Sequence, residues 1–569
     1  MKKETKFLYA SIAFGLLAII GITYAFFITT IEGNRKNVSV DMSDLKIIFT
    51  NGDAIEATDI SAEDNLDIVK SFSVENKTKN VYKYNIVIES LLNTFKTSGY
   101  LVYKITSNDG GYNMTEFKNV PKSTFYRDVE LANNINITAN GKHNYNIEIK
   151  YINSETENQS IDSNAILSGK LYIEKYNSTS RNKSLASVML EDNPYVENID
   201  DLTSYNDNDT TGTLYQTNKT EDGSTVYLYA GDTSNNWVKF GKYQSDLIVY
   251  KGYYSETTYD YDYLEYDSLE ECTNASRYNV NCTLYKRANA GDDIYWRIIR
   301  TNEDGSVRLL YTGTSHDTSE GYIGESKFNA SDSDPMYAGY MYGTSGSLEN
   351  NRLNTNDSEV KKVIDNWYEK YMLDYDKYVS KSAIYCNDRS IGKGTYAVTG
   401  EDTLYFGAYK RYGGYADENS YGKSSYKCGD NGDGGLFETI QAIEDKFSAS
   451  TTGGGNGQLK YPIALMTTDE VILAAYFKSY INSSKNWINL NSLKEPILNV
   501  TDDLWTMSPY YRNKYATYVG TLDDSYYGDE TVTTNRVRPV LSLASCVKIK
   551  SGDGTSNYPY VIDYENSCN

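Results

Sequence analysis

The chain contains 569 residues, of which 77 are acidic and 55 are basic, and its formal net charge is −22. This length allows two to four domains. The negative balance argues against a nucleic-acid partner, whose phosphates need a basic face, and against electrostatic attachment to anionic lipid. Tyrosine is frequent, with 57 residues. Low-GC codon usage is one explanation of the high tyrosine content, and it gives the tyrosines no functional meaning. The functional alternative is a surface that contacts sugar rings or peptide.

An uncharged apolar stretch runs from Phe7 to Ile31 behind a lysine-rich terminus. A helix of this length covers the roughly 30 Å hydrocarbon core of a bilayer, and the lysines should stay in the cytoplasm. Residues 1–32 are therefore predicted to be a signal-anchor, with the rest of the chain outside the cell. The alternative is a signal peptide that is cleaved between Ala25 and Phe26, because small residues precede that bond.

Residues 33–176 are predicted to form an all-β domain. Apolar and polar residues alternate over 82–89 and 145–151, as in strands with one buried face. Turn signals separate these runs, and several short strands at such spacing favour a β-sandwich. Residues 177–200 are polar without clear periodicity and are predicted to be a linker.

Residues 201–569 are predicted to form an α+β head with an insertion at 242–294. Asp304-Gly305 between two apolar runs predicts a hairpin. Three helices are predicted from apolar stripes and capping signals. The first carries a stripe from Val360 to Tyr375 with Asn356 as its cap, the second carries Phe437, Ile440, Ile443 and Phe447, and the third starts at Thr467, where Glu470 completes a capping box.

Six cysteines lie in the second half of the chain or close to it. Their even number and the predicted compartment favour disulfides. Pairing of sequence neighbours gives Cys272–Cys282, Cys386–Cys428 and Cys546–Cys568, although other connectivities stay open. A metal site is not expected, because no C-x-x-C occurs and both histidines are isolated. The stretch DNGDG at 430–434 offers oxygen ligands for calcium, but it lacks the closing Glu of an EF-hand and is interpreted as a turn. No cofactor is predicted.

Four stretches of the first third resemble the camelysin/TasA group of Gram-positive surface proteins: GITYAFF at 21–27, DLKI at 44–47, SFSVEN at 71–76 and LSGKLYI at 167–173. The resemblance implies a jelly-roll-like sandwich outside the membrane, and in some members a matrix-fibre subunit that would self-assemble through the sandwich. Camelysin is described as a metalloprotease. That activity is not carried over, because this chain has no H-E-x-x-H motif.

The second half resembles an uncharacterised domain of Firmicutes surface proteins in five stretches: WRIIR at 296–300, CNDRS at 386–390, LMTTDEV at 465–471, WTMSPY at 505–510 and VRPVLSL at 537–543. The W…S-P…R-P-V ending is also similar to sulfatase-modifying-factor domains, a branch of the C-type-lectin-like fold. Their activity needs a pair of reactive cysteines near the end of the domain, and Cys546 and Cys568 lie far apart. The calcium-dependent sugar signature Glu-Pro-Asn of C-type lectins is broken at Ile497.

A ligand-binding face is predicted between Trp505 and Arg538, by analogy with that fold. Aromatic side chains with one arginine and flanking carboxylates suit recognition of a glycan or a protein, and ordinary exposed tyrosine is the alternative. Trp505, Arg538 and Pro539 are expected to hold the fold. The candidate ligand-binding residues are Tyr510, Tyr511, Arg512, Tyr515, Tyr518, Asp523, Asp524, Tyr526 and Tyr527.

The sequence thus predicts a single-pass bacterial surface protein without enzymatic activity, in which a β-sandwich stalk carries an extracellular adhesion head of C-type-lectin-like fold. Secretion after cleavage, as a TasA-like fibre or biofilm-matrix subunit, is the main alternative. An extracellular enzyme is the third. A serine nucleophile would need a base, and His143 and His316 are the only histidines in the chain.

Overall fold

The computed structural model describes residues 38–41, 45–49, 53–57, 67–97, 99–176, 182–193, 195–198, 213–231, 233–254, 262–275, 282–318, 320–393, 403–412, 426–428, 445–452, 455–475, 503–522 and 526–568. The chain divides into two compact units, Met1–Thr179 and Ser180–Asn569. Within the residues just given, no helix is long and apolar enough to cross a membrane. The stretch from Phe7 to Ile31 and the candidate cleavage site at Ala25 and Phe26 lie outside them.

Two antiparallel sheets form the first unit. Its strands are β1 Val38–Asp41, β2 Leu45–Phe49, β3 Ala54–Ala57, β4 Asp67–Asn76, β5 Tyr82–Asn93, β6 Leu101–Ser107, β7 Lys118–Asn119, β8 Ser123–Ile137, β9 Lys142–Tyr151 and β10 Leu167–Lys175. One sheet has the order β1-β2-β4-β9-β6-β7 and the other β3-β10-β5-β8. Inward side chains of both sheets, such as Ile86 and Ile147, share one core. The predicted sandwich is therefore present.

A chain of hydrogen bonds crosses this core from one sheet to the other. The hydroxyl of Tyr145 accepts from the backbone N–H of Tyr112 at 2.9 Å and lies 2.5 Å from the hydroxyl of Tyr84, which is 2.7 Å from Nδ1 of His143. All these groups are satisfied when Tyr145 donates to Tyr84 and Tyr84 donates to a neutral imidazole. Burial lowers the pKa of His143, although the Asp109 carboxylate opposes this effect.

Several sheets build the second unit. Its strands are β11 Tyr195–Asn198, β12 Thr213–Thr217, β13 Val226–Leu228, β14 Trp237–Lys242, β15 Leu247–Tyr254, β16 Asp262–Tyr266, β17 Thr283–Ala288, β18 Asp293–Thr301, β19 Val307–Gly313, β20 Gly324–Lys327, β21 Met341–Tyr342, β22 Asn356–Asp357, β23 Tyr385–Cys386, β24 Ile391–Lys393, β25 Leu404–Phe406, β26 Lys446–Ser448, β27 Gly457–Gln458, β28 Ile463–Leu465, β29 Leu504–Arg512, β30 Thr517–Leu522, β31 Tyr526–Glu530, β32 Thr534–Val537, β33 Pro539–Leu543, β34 Ile549–Ser551 and β35 Tyr560–Ile562.

The predicted hairpin lies inside the larger of two main sheets. A ten-stranded sheet runs β11-β12-β13-β18-β14-β35-β34, and β19, β33 and β28 continue it from β18. The β18–β19 pair is the hairpin, with Gly305 at a φ of 75° in its turn. A seven-stranded sheet has the order β20-β32-β29-β25-β24, with β30 on β29 and β31 on β30. The smaller sheets are β21-β22 and β23-β26-β27, and β16-β15-β17 lies within the range 242–294 that was predicted as an insertion.

Six α-helices are described in the second unit: α1 Leu185–Asp192, α2 Leu269–Ala275, α3 Leu348–Asn351, α4 Glu359–Tyr371, α5 Gly407–Tyr412 and α6 Thr468–Ala475. The predicted stripe of α4 is buried, and its continuation to Tyr375 is a 3₁₀ turn. In α6 the capping box is formed: the Thr467 hydroxyl accepts from the N–H of Glu470 at 3.1 Å, and the Glu470 carboxylate accepts from the N–H of Thr467 at 3.2 Å.

Two details of the helix predictions are wrong. Ser358, not Asn356, caps α4, because its hydroxyl accepts from the N–H of Lys361 at 3.3 Å while Asn356 belongs to the short strand β22. Phe447, which was predicted to lie on the second helix, is a residue of β26. The rest of that predicted helix lies outside the described residues.

The linker prediction for 177–200 is wrong at α1. Leu185, Val188 and Met189 recur at helical spacing and are buried. The Ser184 hydroxyl caps the helix by accepting from the N–H of Ser187, and Asn193 donates to the Met189 carbonyl at its end. The segment therefore packs as part of the second unit. The polar composition of the segment favoured a linker, yet here the polar residues Ser184 and Asn193 satisfy the helix ends.

All three disulfides join the predicted partners: Cys272–Cys282, Cys386–Cys428 and Cys546–Cys568, at separations of 10, 42 and 22 residues. Trp505 and Arg538 are buried and bond to backbone, since Trp505 Nε1 donates to the Ser326 carbonyl at 2.8 Å and Arg538 Nε to the Tyr311 carbonyl at 2.7 Å. Burial lowers the pKa of Arg538 to about 10.

The first unit should lose stability when the pH falls below about 6.5, the ordinary pKa of an unfolded histidine. The pKa of His143 is lowered in the folded state, so the unfolded state takes up the proton more readily. The stabilisation that neutral His143 contributes is complete above about pH 6.5 and is lost as the pH falls through the folded pKa. We expect hydrogen-exchange protection of β5 and β9 peptides, corrected for intrinsic rates, to drop from pH 7.5 to pH 5.5. His143→Gln should flatten this drop, and an unchanged pH dependence in that variant would contradict the assignment.

Candidate functional site

Five tyrosine rings meet beside the seven-stranded sheet. Tyr405 of β25 is in register with Tyr511 of β29, and the antiparallel pairing of β29 with β30 brings Tyr518 next to Tyr511. The Tyr511 and Tyr518 rings stack with centroids 4.4 Å apart, and Tyr405 stacks on Tyr409 of α5 at 4.8 Å. Tyr510 contacts Tyr409 at 4.6 Å. We call these five residues the tyrosine face.

A β-bulge brings the consecutive residues Tyr510 and Tyr511 into this one cluster. The register of β29 against β30 shifts between Pro509 and Arg512, which adds a residue and disturbs the alternation of side chains. Gly528 of β31 makes room for the Tyr510 ring, because a Cβ at this position would stand 2.0 Å from its Cδ1. Tyr510 is 7% exposed. Tyr510 therefore contributes to the cluster as a buried packing residue.

The other four tyrosines of the face are partly exposed. The Tyr518 hydroxyl donates to the Glu530 carboxylate at 3.0 Å. Burial, followed by the effects of Tyr518 and Glu530, raises the pKa of Tyr511 to about 12. A phenol with a raised pKa keeps its proton at neutral pH. The Tyr511 hydroxyl is also hydrogen-bonded to that of Tyr518, so both phenols are bonded within the protein.

Tyr515 projects from the turn between β29 and β30 and is 75% exposed. The side-chain oxygen of Asn513 accepts from the N–H groups of Tyr515 and Ala516 at 2.8 and 2.9 Å, which fixes the turn. Lys514 Nζ lies 5.0 Å from the centre of the Tyr515 ring. The backbone thus holds a large amphipathic side chain in solvent at the end of the tyrosine face.

The structure does not gather all the predicted ligand-binding residues on one face. Arg512 is 7% exposed and donates at 2.8 Å to the carbonyls of Ser333 and Asn513, so it holds the fold. Tyr527 lies on the opposite side of β31 from Glu530, where it pairs with the buried Thr521 of β30. Its hydroxyl donates to Asp503. Asp523 and Asp524 lie outside the described residues, and only the backbone of Tyr526 is described.

Sequence reasoning missed Tyr405 and Tyr409. They are about a hundred residues away from Tyr511 along the chain, and only the pairing of β25 with β29 brings them close. A local signal existed, because the stretch YFGAY at 405–409 places two aromatic rings four residues apart. Nothing in that stretch identifies the strand it pairs with.

A small cavity at the start of α6 is the second candidate. About 30 Å³ of it is open to water-sized spheres, which is room for roughly two water molecules. Its walls carry charged side chains, two tyrosine-stacked arginines and one disulfide. The lining residues are Glu221, Arg300, Glu303, Arg308, Ile384, Cys386, Asp388, Tyr426, Lys427, Cys428, Thr467, Asp469, Glu470 and Ser508.

The cavity wall contains a buried ion cluster. Arg300 Nε and Arg308 Nη1 both donate to the same oxygen of Glu470, at 2.9 and 2.7 Å. Burial opposes ionisation of Glu470, but the two guanidinium groups outweigh it and keep the pKa of this carboxyl lowered. Tyr426 and Tyr385 cover the guanidinium groups of Arg300 and Arg308 at 4.4 and 4.3 Å. The charges are already paired, so we assign the cluster to stability rather than to chemistry.

Among the described side chains, no group of three or more His, Cys, Asp or Glu residues could hold a metal ion. The stretch 430–434, considered for calcium, is not among them.

Comparison with protein-family models, with curated proteins and with solved structures finds no match to this chain.

Replacing Gly528 by Ala should displace the Tyr510 ring and cost about 1–3 kcal/mol of stability, because a methyl group would overlap that ring. Thermal unfolding and the near-UV circular dichroism of tyrosine should both change. Gly324→Ala in β20 of the same sheet is the matched control, since a Cβ there meets nothing within 4 Å. Equal effects of the two variants would contradict the assigned role of Gly528.

Replacing Glu470 by Gln should destabilise the second unit by about 3–5 kcal/mol, because two buried guanidinium groups lose their shared counter-charge. Denaturant unfolding followed by tryptophan fluorescence reports on this unit, which contains all five tryptophans. Glu369→Gln removes the exposed partner of Lys460 and should leave the midpoint unchanged. A Glu470 variant as stable as wild type would show that the cluster does not stabilise the fold.

Proposed function

We propose that this chain is a bacterial surface protein whose second unit binds an extracellular glycan or protein through the tyrosine face. The observation that carries the proposal is the cluster of four partly exposed tyrosines beside the strongly exposed Tyr515. Tyrosine offers a large amphipathic contact area with few rotatable bonds, and such residues dominate many binding surfaces. Ring stacking already restricts the tyrosine side chains, so ligand binding costs less of their conformational entropy.

Three disulfides support an oxidising compartment. In the proposed arrangement, the stretch from Phe7 to Ile31 anchors the chain, the camelysin/TasA-like sandwich acts as a stalk, and the second unit is a C-type-lectin-like head. The protein acts by binding and not as an enzyme. Cleavage before Phe26 and assembly into fibres through the sandwich stays the alternative prediction.

The proposal is tested by binding of the labelled full-length protein to intact cells and to isolated cell walls. Tyr511→Ala combined with Tyr518→Ala should weaken binding by about 2 kcal/mol, roughly thirtyfold, because buried aromatic anchors contribute most of the energy of a contact surface. Tyr515→Ala should weaken it several-fold without a change in unfolding midpoint.

Tyr195→Ala is the control, since Tyr195 of β11 is 71% exposed and lies outside the tyrosine face. The proposal fails if this variant weakens binding as much as the others, or if the tyrosine-face variants bind like wild type. Filaments in electron micrographs, formed equally by wild type and the tyrosine-face variants from chains that start at Phe26, would favour the fibre alternative.

A further inference from the structure

We infer that one end of the β-sandwich rests on a lipid surface, namely the headgroup layer of the membrane that holds the predicted anchor. This inference rests on the anchoring part of the proposed function and adds a second contact with the same membrane. Three observations carry it: the direction of the chain through the first unit, the positions of its exposed apolar side chains, and the balance of charge around them.

The chain enters and leaves the first unit at opposite ends. Val38 of β1 lies level with Phe72 of β4, and β1 runs toward the last residues of β4, so the chain enters the sheet from the end at which β4 begins. It leaves at the other end, because Lys175 of β10 pairs with Tyr84 near the start of β5. We call the end that holds Asp67, the first residue of β4, the entry end.

The entry end is within reach of the predicted anchor. Residues 32–38 span at most about 25 Å when they are fully extended. Val38 lies level with the sixth residue of β4, which is about 17 Å from the first. The anchor therefore confines the entry end close to the surface from which the chain emerges. Such confinement raises the effective concentration, so a contact that is too weak for a free protein becomes occupied.

Exposed apolar side chains collect at the entry end. Among the described side chains of the first unit, five large apolar ones are exposed, and Val81 is the one of them at the other end. Ile152 directly follows β9 and is 46% exposed, and Ile161 lies in the turn before β10 and is 50% exposed. Val69, the third residue of β4, and Phe117, just before β7, are the other two. Single exposed apolar residues are ordinary, whereas several at one end form a contact surface.

Hydrogen bonds hold Ile152 and Ile161 in their exposed positions. The N–H of Ile152 donates to the Tyr100 carbonyl at 2.9 Å. The turn that carries Ile161 is fixed by the buried carboxylate of Asp162, which accepts from the Tyr151 hydroxyl at 3.0 Å. Both side chains are thus presented to solvent in a fixed arrangement, so contact with lipid costs little conformational entropy.

Phe117 has the surroundings of a residue at the headgroup layer. The Nζ atoms of Lys104 and Lys150 lie 5.7 and 5.4 Å from the centre of its ring. Lysine keeps its ammonium group in water while its aliphatic stem contacts apolar material. Proteins that lie on a membrane commonly place apolar and aromatic side chains beside lysines in this way.

Net charge does not drive the contact, because both signs occur at the entry end. Lys150 pairs with Glu148 at 3.5 Å. The exposed charged side chains near this end include Asp67, Lys96, Glu116, Lys118, Lys122, Glu155 and Glu157. A surface with such a balance has no strong preference for anionic lipid, so the contact depends on its apolar side chains and is insensitive to salt.

The test uses the full-length protein in phosphatidylcholine vesicles with its disulfides closed. A nitroxide label is attached through Ile161→Cys, and the matched control label through Val81→Cys at the opposite end of the same unit. The accessibility of each label to oxygen, which dissolves in lipid, is compared with its accessibility to a nickel chelate, which stays in water. We expect the oxygen-to-nickel ratio to be at least about threefold higher at position 161 than at position 81. Equal ratios at the two positions would overturn the inference.

A second variant tests the apolar character of the contact. Phe117→Ser combined with Ile152→Ser should lower the ratio at position 161 at least about twofold, because two of the exposed apolar side chains are lost. Addition of phosphatidylglycerol or of 0.5 M salt should leave that ratio unchanged. A high ratio that needs anionic lipid and disappears in salt would contradict an apolar contact. A high ratio that disappears when the protein is diluted in the vesicles would assign this end to a second copy of the chain.

Flotation of the vesicles after an alkaline carbonate wash separates this inference from the proposed anchor. A protein that does not float with the vesicles would reject the anchor and the lipid contact together. A protein that floats but gives equal ratios at positions 161 and 81 would reject the lipid contact alone. Neither result affects binding by the tyrosine face, which the Tyr511→Ala, Tyr518→Ala variant tests separately.

Discussion

The second unit depends on one shared carboxylate. Arg300 and Arg308 face each other across the β18–β19 hairpin, and Glu470 of α6 bonds to both. Without that carboxylate, two like charges would be buried side by side, and an unpaired buried charge is strongly destabilising. Arg308 also donates to the Ile384 carbonyl and to Ser542. Residues from four distant parts of the chain thus meet at one ion cluster next to the Cys386–Cys428 disulfide. The buried charges are therefore paired only when these four parts of the chain have come together as in the native fold.

Features that depend on neighbouring residues could be predicted from the sequence. Asp304-Gly305 identified the hairpin, Thr467 and Glu470 identified the start of α6, and each cysteine pairs with its neighbour. Features that depend on distant pairing could not. The tyrosine face needs Tyr405, which only the pairing of β25 with β29 brings near. Strand alternation also separates sequence neighbours, so Arg512 was predicted beside Tyr511 although it points into the fold.

Tyrosine serves two purposes in this chain, and that explains why composition alone was ambiguous. Many tyrosines are core residues: Tyr84, Tyr229, Tyr243, Tyr311 and Tyr340 are completely buried. The hydroxyls of the first four form hydrogen bonds in the interior, as when Tyr243 and Tyr311 meet at 2.5 Å. A binding role needs tyrosines that remain partly in solvent. The distinction lies in where the fold places each residue, and a count of residues does not contain that information.

The disulfides have a consequence for how the chain matures. Each joins consecutive cysteines, and no bridge spans another. A chain that emerges amino terminus first exposes its thiols in this same order, so each thiol meets its native partner before the next pair appears. Oxidation that keeps pace with emergence therefore yields the native set directly. Reshuffling is needed only when the whole chain is reduced and reoxidised at once.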